Sequence, residues 1–199
     1  MKTPITRRQF LHRSGSVALS LGPALGARAL AQTPGANERI GLGLIGCGGM
    51  GRVNLKSFMQ LQGVAIAAVC DVDSQRLEAT VKEVSSAGRP APARFADFRR
   101  LLELKEVDAV IVATPDHWHA LPFIAACEAG KDVYCEAPLS HSLAECKAML
   151  AAAAHFQRVV QVGLWQRSVR HFQQAIEFVR AGQLGQISVC RAWCVSPLE

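Results

Sequence analysis

Between Gly46 and Gly51 the chain reads Gly46-Cys47-Gly48-Gly49-Met50-Gly51, which places three glycines at the spacing G-x-G-x-x-G. That spacing suits a loop that holds a diphosphate. Gly46 permits a tight turn, Gly48 lets a phosphate approach the backbone, and Gly51 lets a helix pack close to a strand. The N–H groups of the loop then stand at a helix start, where unpaired amides and the helix dipole attract an anion. Asp71 follows 25 residues after Gly46, near the place where such a site needs a carboxylate to accept from an adenosine ribose hydroxyl. The same carboxylate repels a 2′-phosphate, so the two features together predict NAD in preference to NADP. The bland alternative is a glycine-rich turn beside a helix-capping aspartate. It leaves the agreement of loop position and acid spacing unexplained.

A second grouping, His117-x-His119, has the form of a metal pair. No third ligand lies at a usual spacing, so no metal is assigned. The ordinary reading of that segment is that Asp116 caps the next helix and Trp118 packs against the core.

These groups need elements to carry them, and the hydrophobic pattern supplies them. Apolar runs of strand length recur at Ile40–Ile45, Val64–Cys70, Ala109–Ala113, Val133–Cys135 and Val159–Val162. Helical segments alternate with them at Met50–Gln60, Ser74–Ser85, Phe98–Leu104, Ala120–Ala129 and Leu143–Ala154. The strands are continuously apolar rather than alternating, as expected of a parallel sheet covered on both faces. The alternation predicts an α/β fold, a doubly wound parallel sheet of Rossmann type, with the glycine loop between its first strand and first helix.

Charge is distributed unevenly. Five of the 22 basic residues and none of the 16 acids fall in residues 1–31, leaving 17 bases against 16 acids in the remainder. The body therefore carries no basic footprint for nucleic acid. Half the residues are hydrophobic and 19% are charged, which excludes a disordered chain. Thr6-Arg7-Arg8-Gln9-Phe10-Leu11, an apolar stretch from Val17 to Ala27 and a small-residue site at Ala29-Leu30-Ala31 read as a twin-arginine export signal. The expected location is periplasmic or secreted, with the export machinery as a partner and no stable membrane span after cleavage. No apolar run approaches the ~18 residues of a spanning helix. Seven cysteines, odd in number and without a C-x-x-C, indicate neither a disulfide framework nor zinc; small buried hydrophobes are the better reading.

Three further motifs follow the later strands: Thr114-Pro115-Asp116-His117-Trp118-His119, Glu136-Ala137-Pro138, and Gly163-Leu164-Trp165-Gln166-Arg167-Ser168. With the glycine loop, these ordered motifs resemble the glucose–fructose oxidoreductase/inositol dehydrogenase (Gfo/Idh/MocA) family, in particular its members with twin-arginine signals. The resemblance runs from about Arg39 to the chain end. It implies that the glycine loop, Asp71, Thr114, Pro115 and His117 line an NAD site. It also implies that Glu136 lies near the nicotinamide ribose, that Pro138 shapes the turn presenting it, and that Trp165 and Arg167 stand near the nicotinamide and substrate end. The implied activity is hydride transfer with a sugar or polyol. A variant in relatives is NAD-dependent glycosidase chemistry, in which transient oxidation labilises the glycosidic bond.

Two departures from the family pattern bear on catalysis. The family motif Glu-Lys-Pro carries a lysine credited with proton transfer, and here that position is Ala137, so no catalytic residue is assigned. Family members also continue into a C-terminal α/β domain that binds substrate and mediates oligomerisation. Here residues 1–31 read as signal, 32–168 as the nucleotide-binding domain, and 169–199 as a connecting helix (Phe172–Arg180) with the first strand (Gln186–Val195) of a truncated second domain. For the isolated chain this favours a non-catalytic nucleotide-binding module, or half of a split or degenerate enzyme, over a complete oxidoreductase. A homo-oligomer or a complementing C-terminal fragment is the implied protein partner.

Overall fold

The computed structural model describes residues 39–193; the signal read over 1–31 and the chain from Cys194 on lie outside them. The elements run β1 (Ile40–Ile45), α1 (Gly49–Met59), β2 (Val64–Cys70), α2 (Ser74–Ser86), β3 (Ala93–Phe95) and α3 (Phe98–Leu102). They continue with β4 (Ala109–Val112), α4 (Ala120–Glu128), β5 (Asp132–Glu136), α5 (Leu143–His155), β6 (Val160–Gly163) and α6 (Arg170–Arg180). The six strands form one sheet in the order β3-β2-β1-β4-β5-β6, every pair parallel. This is the doubly wound arrangement the alternation predicts.

Each strand face feeds a separate core. Leu42, Leu44, Val69 and Ile111 pack on one side with Leu55 of α1 and Leu77 and Val84 of α2. Ile45, Val110, Val112 and Val133 pack on the other with Phe123 and Ala126 of α4 and Met149 of α5. Central strands covered on both sides have no use for a polar face, hence their unbroken apolar runs. Side-chain caps fix several helix starts: Asp73 accepts from the amides of Gln75 and Arg76 at α2, and Ser142 with Glu145 forms a capping box at α5.

Two expectations need correction. β3 was not expected: Ala93-Arg94-Phe95 is an edge strand with two exposed residues, too short and too mixed to show a hydrophobic period. The strand expected over Gln186–Val195 is not formed in residues 186–193, which have no ladder partner among the described residues. A strand exists only through its neighbour's hydrogen bonds, and sequence pattern alone does not supply one. α6 has the expected helical form, but its stripe of Phe172, Ile176 and Val179 is exposed.

Candidate functional site

The order of the sheet reverses between β1 and β4, and a cleft of ≈ 700 Å³ opens there beyond the carboxyl ends of the strands. Ligands in open α/β sheets bind at that switch point. Gly46 turns the chain out of β1 with φ 99°, and a Cβ on it would lie 2.6 Å from the Ala113 carbonyl carbon and oxygen. A Cβ on Gly51 would stand 2.0 Å from the Gly46 carbonyl oxygen, so α1 crosses the loop at a distance only glycine allows. Gly48 differs from both. Its φ of −71° suits any residue, and the nearest atom to a Cβ there is the Arg76 Nη1 at 3.9 Å. The protein itself does not require glycine at this position, whereas an incoming phosphate would. No side chain caps α1 and its first turn holds no acid, which leaves its first amides to an anion. Gly49 is likewise open and Met50 is exposed; Cys47 turns its side chain into the core.

Asp71 sits at the tip of β2 and lines the cleft. Its Oδ2 accepts from the Cys47 amide at 2.7 Å and its Oδ1 from the Asp73 amide at 2.8 Å. Each carboxylate oxygen keeps a free lone pair, so the carboxylate ties the glycine loop to β2 and still has acceptors for ribose hydroxyls. Gly46, Gly48, Asp71, Thr114, Pro115 and His117 all border this one cleft. Sequence reasoning missed Arg76, which lines it beside Asp73 (Nε–Oδ2 3.4 Å), and Arg99, which lines it as well. The one usable signal for Arg76 was its place one turn into a helix capped by Asp73.

The segment after β4 departs from its bland reading. Asp116 opens a short 3₁₀ turn, Asp116–Trp118, and Trp118 is about half exposed rather than packed in the core. His117 is exposed, 3.5 Å from the Asp116 carboxylate. His119 instead points inward, 2% exposed, with Nδ1 2.7 Å from the Pro138 carbonyl oxygen and Nε2 2.7 Å from that of Thr114. The two histidines therefore do not converge on one point. The Thr114 hydroxyl is buried without a hydrogen-bond partner among the described residues, an unmet polar group in a residue that lines the cleft.

Glu136, Pro138, Trp165 and Arg167 lie outside the cleft's lining. Glu136 ends β5 and is 7% exposed; its Oε1 accepts from Asn54 Nδ2 of α1 at 2.7 Å and from the Tyr134 hydroxyl at 3.4 Å, and its Oε2 from the Ala137 amide at 3.2 Å. A Cβ on Gly163 would lie 2.8 Å from both Glu136 Oε1 and the Tyr134 hydroxyl, so the end of β6 is glycine to make room for this cluster. Burial, then the Glu136 charge, pushes the Tyr134 hydroxyl up from its ordinary range. Asn54, Tyr134 and Gly163 were not legible as a set, because they come from three elements. The Ala137–Pro138 peptide is cis. Trp165 and Arg167 stand in an exposed 3₁₀ turn, Trp165–Ser168, directly after β6.

The residues present fit a dinucleotide: an uncapped helix start, a loop glycine facing open space, a carboxylate at the next strand tip and an unpartnered hydroxyl opposite. Residues 40–164 match the family model described as "Oxidoreductase family, NAD-binding Rossmann fold" (GFO_IDH_MocA). A "Glycosyl hydrolase family 109 protein" of Saccharopolyspora erythraea is 33% identical over 161 residues, covering 71% of this chain and 35% of that protein. An "Alpha-N-acetylgalactosaminidase" of Shewanella oneidensis is 29% identical over 203 residues, covering 92% and 44%. Among solved structures, scyllo-inositol dehydrogenase from Lactobacillus casei with bound NAD(H) and scyllo-inositol superposes with a TM-score of 0.66 at 23% identity, covering 75% of this chain and 43% of that one. The chain thus spans less than half the length of the curated relatives it matches.

Proposed function

The chain belongs to the Gfo/Idh/MocA oxidoreductase family, and from that premise we propose that it binds NAD in preference to NADP and serves hydride exchange with a sugar or polyol. The observation that carries the proposal is the uncapped start of α1 with Gly48 open to the cleft. In this reading the amides of Gly48–Gly51 hold the pyrophosphate, those of Gly46 and Cys47 being spent on the Cys70 carbonyl and Asp71; Asp71 holds the adenosine ribose, and Thr114, Pro115 and His117 border the same nucleotide. Glu136, Pro138, Trp165 and Arg167 serve the nicotinamide end. Bound NAD supplies the hydride acceptor at its C4. This chain's residues bind and orient it, and Ala137 moves no proton, since a methyl group neither donates nor accepts one.

The Asp71 carboxylate supports NAD over NADP, because a 2′-phosphate would face a negative charge already fixed by two backbone donors. Titration of the full chain with NAD and NADP, followed by reduction assays on a panel of sugars and polyols, tests the reading. Binding with turnover supports an enzyme, binding alone supports a nucleotide-binding module, and failure to bind NAD refutes both.

A second reading is favoured by the names of the curated relatives. NAD would then be reduced and reoxidised within one turnover, and the product would be a released sugar. NAD-dependent cleavage of an aryl α-N-acetylgalactosaminide without accumulation of NADH separates it from net oxidation. Residues 1–31 are proposed to direct twin-arginine export to the periplasm or beyond; replacing Arg7 and Arg8 by lysine should leave the protein in the cytoplasm.

A further inference from the structure

Arg76 and Arg99 both line the cleft, but only one of them is available to a ligand. Arg99 is spent locally: its Nη1 donates to both carboxylate oxygens of Asp97, at 3.2 and 3.3 Å, and its guanidinium lies 5.0 Å from the centroid of the Phe98 ring. Arg76 has a single ionic contact among the described residues, from Nε to Asp73 Oδ2 at 3.4 Å, between side chains 63% and 43% exposed. A pair so open to water contributes little. Asp73 has another task as well, since its side chain caps α2 by accepting from the amides of Gln75 and Arg76. That cap fixes the backbone of Arg76 in the first turn of α2. The far end of the side chain reaches the glycine loop. Its Nη1 lies 3.9 Å from the place of a Cβ on Gly48, and beyond the glycine's chain neighbours no other heavy atom comes within 4 Å of that place.

The amides of Gly48–Gly51 offer a diphosphate only dipoles, worth roughly half a positive charge at a helix start. A diphosphate bridging two riboses carries a negative charge on each phosphate. Arg52, three residues into α1, is no help, because it pairs with Glu83 at 2.8 Å. A phosphate oxygen in the open space at Gly48 falls within hydrogen-bonding reach of Arg76 Nη1. The buried Thr114 hydroxyl, without a partner among the described residues, independently marks the same cleft as one that takes a polar ligand. We propose that Arg76 is a further binding residue, whose guanidinium supplies the charge the loop amides lack and holds the diphosphate between the start of α1 and the start of α2. The proposal rests on the nucleotide reading for the identity of the anion, while the place of the cation at Gly48 does not.

Binding to the full chain tests it with Arg76→Gln and Arg76→Lys, the probes being inorganic pyrophosphate, ADP, NAD and NADP. Arg76 is exposed, so both variants should unfold in urea at the midpoint of the unaltered protein. Loss of a charge-assisted contact should weaken ADP, NAD and pyrophosphate about tenfold in Arg76→Gln. Lysine should restore affinity to within about threefold, because a phosphate also accepts from a point charge. A larger loss for NADP than for NAD would make Arg76 a reader of the 2′-phosphate, and no recovery with lysine would make it a plane stacked on the base. Either result, or unchanged NAD affinity in Arg76→Gln, overturns the proposal and leaves the nucleotide reading in place. If the unaltered chain binds neither ADP nor NAD, the nucleotide reading fails and pyrophosphate decides alone: bound by the unaltered chain and lost in Arg76→Gln, it supports the anchor; bound equally by both or by neither, it overturns it.

Discussion

The glycine loop allows stability and binding to be separated by two substitutions three residues apart. In Gly51→Ala the new methyl would begin 2.0 Å from the Gly46 carbonyl oxygen and 3.1 Å from its carbon. The optimum for such a pair is near ~3.5 Å, so a shortfall of about 1.5 Å must be made up by backbone on both sides. The nearest side-chain atom, the Ala113 Cβ at 3.4 Å, is fixed to its own backbone and cannot give way. Overpacking of a core typically costs ~1–3 kcal/mol, and a clash confined to backbone belongs at or beyond the upper end, so a loss of at least about 3 kcal/mol is expected. In Gly48→Ala the methyl meets nothing nearer than the 3.9 Å Arg76 Nη1, and φ −71°, ψ −171° is open to alanine. Stability should change by less than about 1 kcal/mol, the small loss of a glycine N-cap being offset by a stiffer unfolded chain. That methyl occupies the space a pyrophosphate needs, so NAD affinity should fall at least about tenfold, or ~1.4 kcal/mol. Urea unfolding followed by fluorescence measures the first quantity, and calorimetric titration with NAD the second. Wild-type NAD affinity in a well-folded Gly48→Ala protein would refute the phosphate role of the loop.

Other substitutions test the surrounding parts. Burial opposes ionisation of Glu83, but hydrogen bonds from Lys56 and Arg52 outweigh it and hold its carboxyl below the ordinary value. The stability this contributes is complete above the unfolded value of ~4.3 and is lost as pH falls through the lower folded value. Both cations are largely exposed, so Glu83→Gln should cost about 0.5–1 kcal/mol at neutral pH, and the gap should close in acid unfolding curves. Removing the Asn54 donor leaves the buried Glu136 carboxylate short of a partner, so Asn54→Ala should destabilise by about 2 kcal/mol in the same urea assay. Burial pushes the Cys47 thiol up to about 11 and those of Cys70 and Cys135 up to about 12. Mass spectrometry after brief alkylation of the native protein should therefore find Cys190, which is exposed, modified and these three untouched until urea is added. Asp71→Ser should weaken NAD and narrow its advantage over NADP, read from parallel titrations.

What the sequence disclosed, and what it did not, divides along a physical line. β1 and β2 were legible to the residue, because a strand buried on both faces must be apolar at every position and Gly46 and Asp71 end those runs abruptly. The phosphate loop was legible because its chemistry lies in consecutive residues. β3 was hidden because an edge strand of three residues needs no hydrophobic period, and residues 186–193 have the composition of a strand but no ladder partner among the described residues. The nest around Glu136 was invisible for another reason. Asn54, Tyr134 and Gly163 come from α1, β5 and β6, and only the sheet order brings a helix amide, a phenol and a bare glycine around one carboxylate. His119 combines both difficulties. Its neighbour His117 borders the cleft while the ring of His119 faces two main-chain carbonyls, and main-chain carbonyls have no sequence signature at all. Local motifs thus identify where a nucleotide is gripped, while the parts that hold the grip in shape are long-range contacts that require the folded sheet.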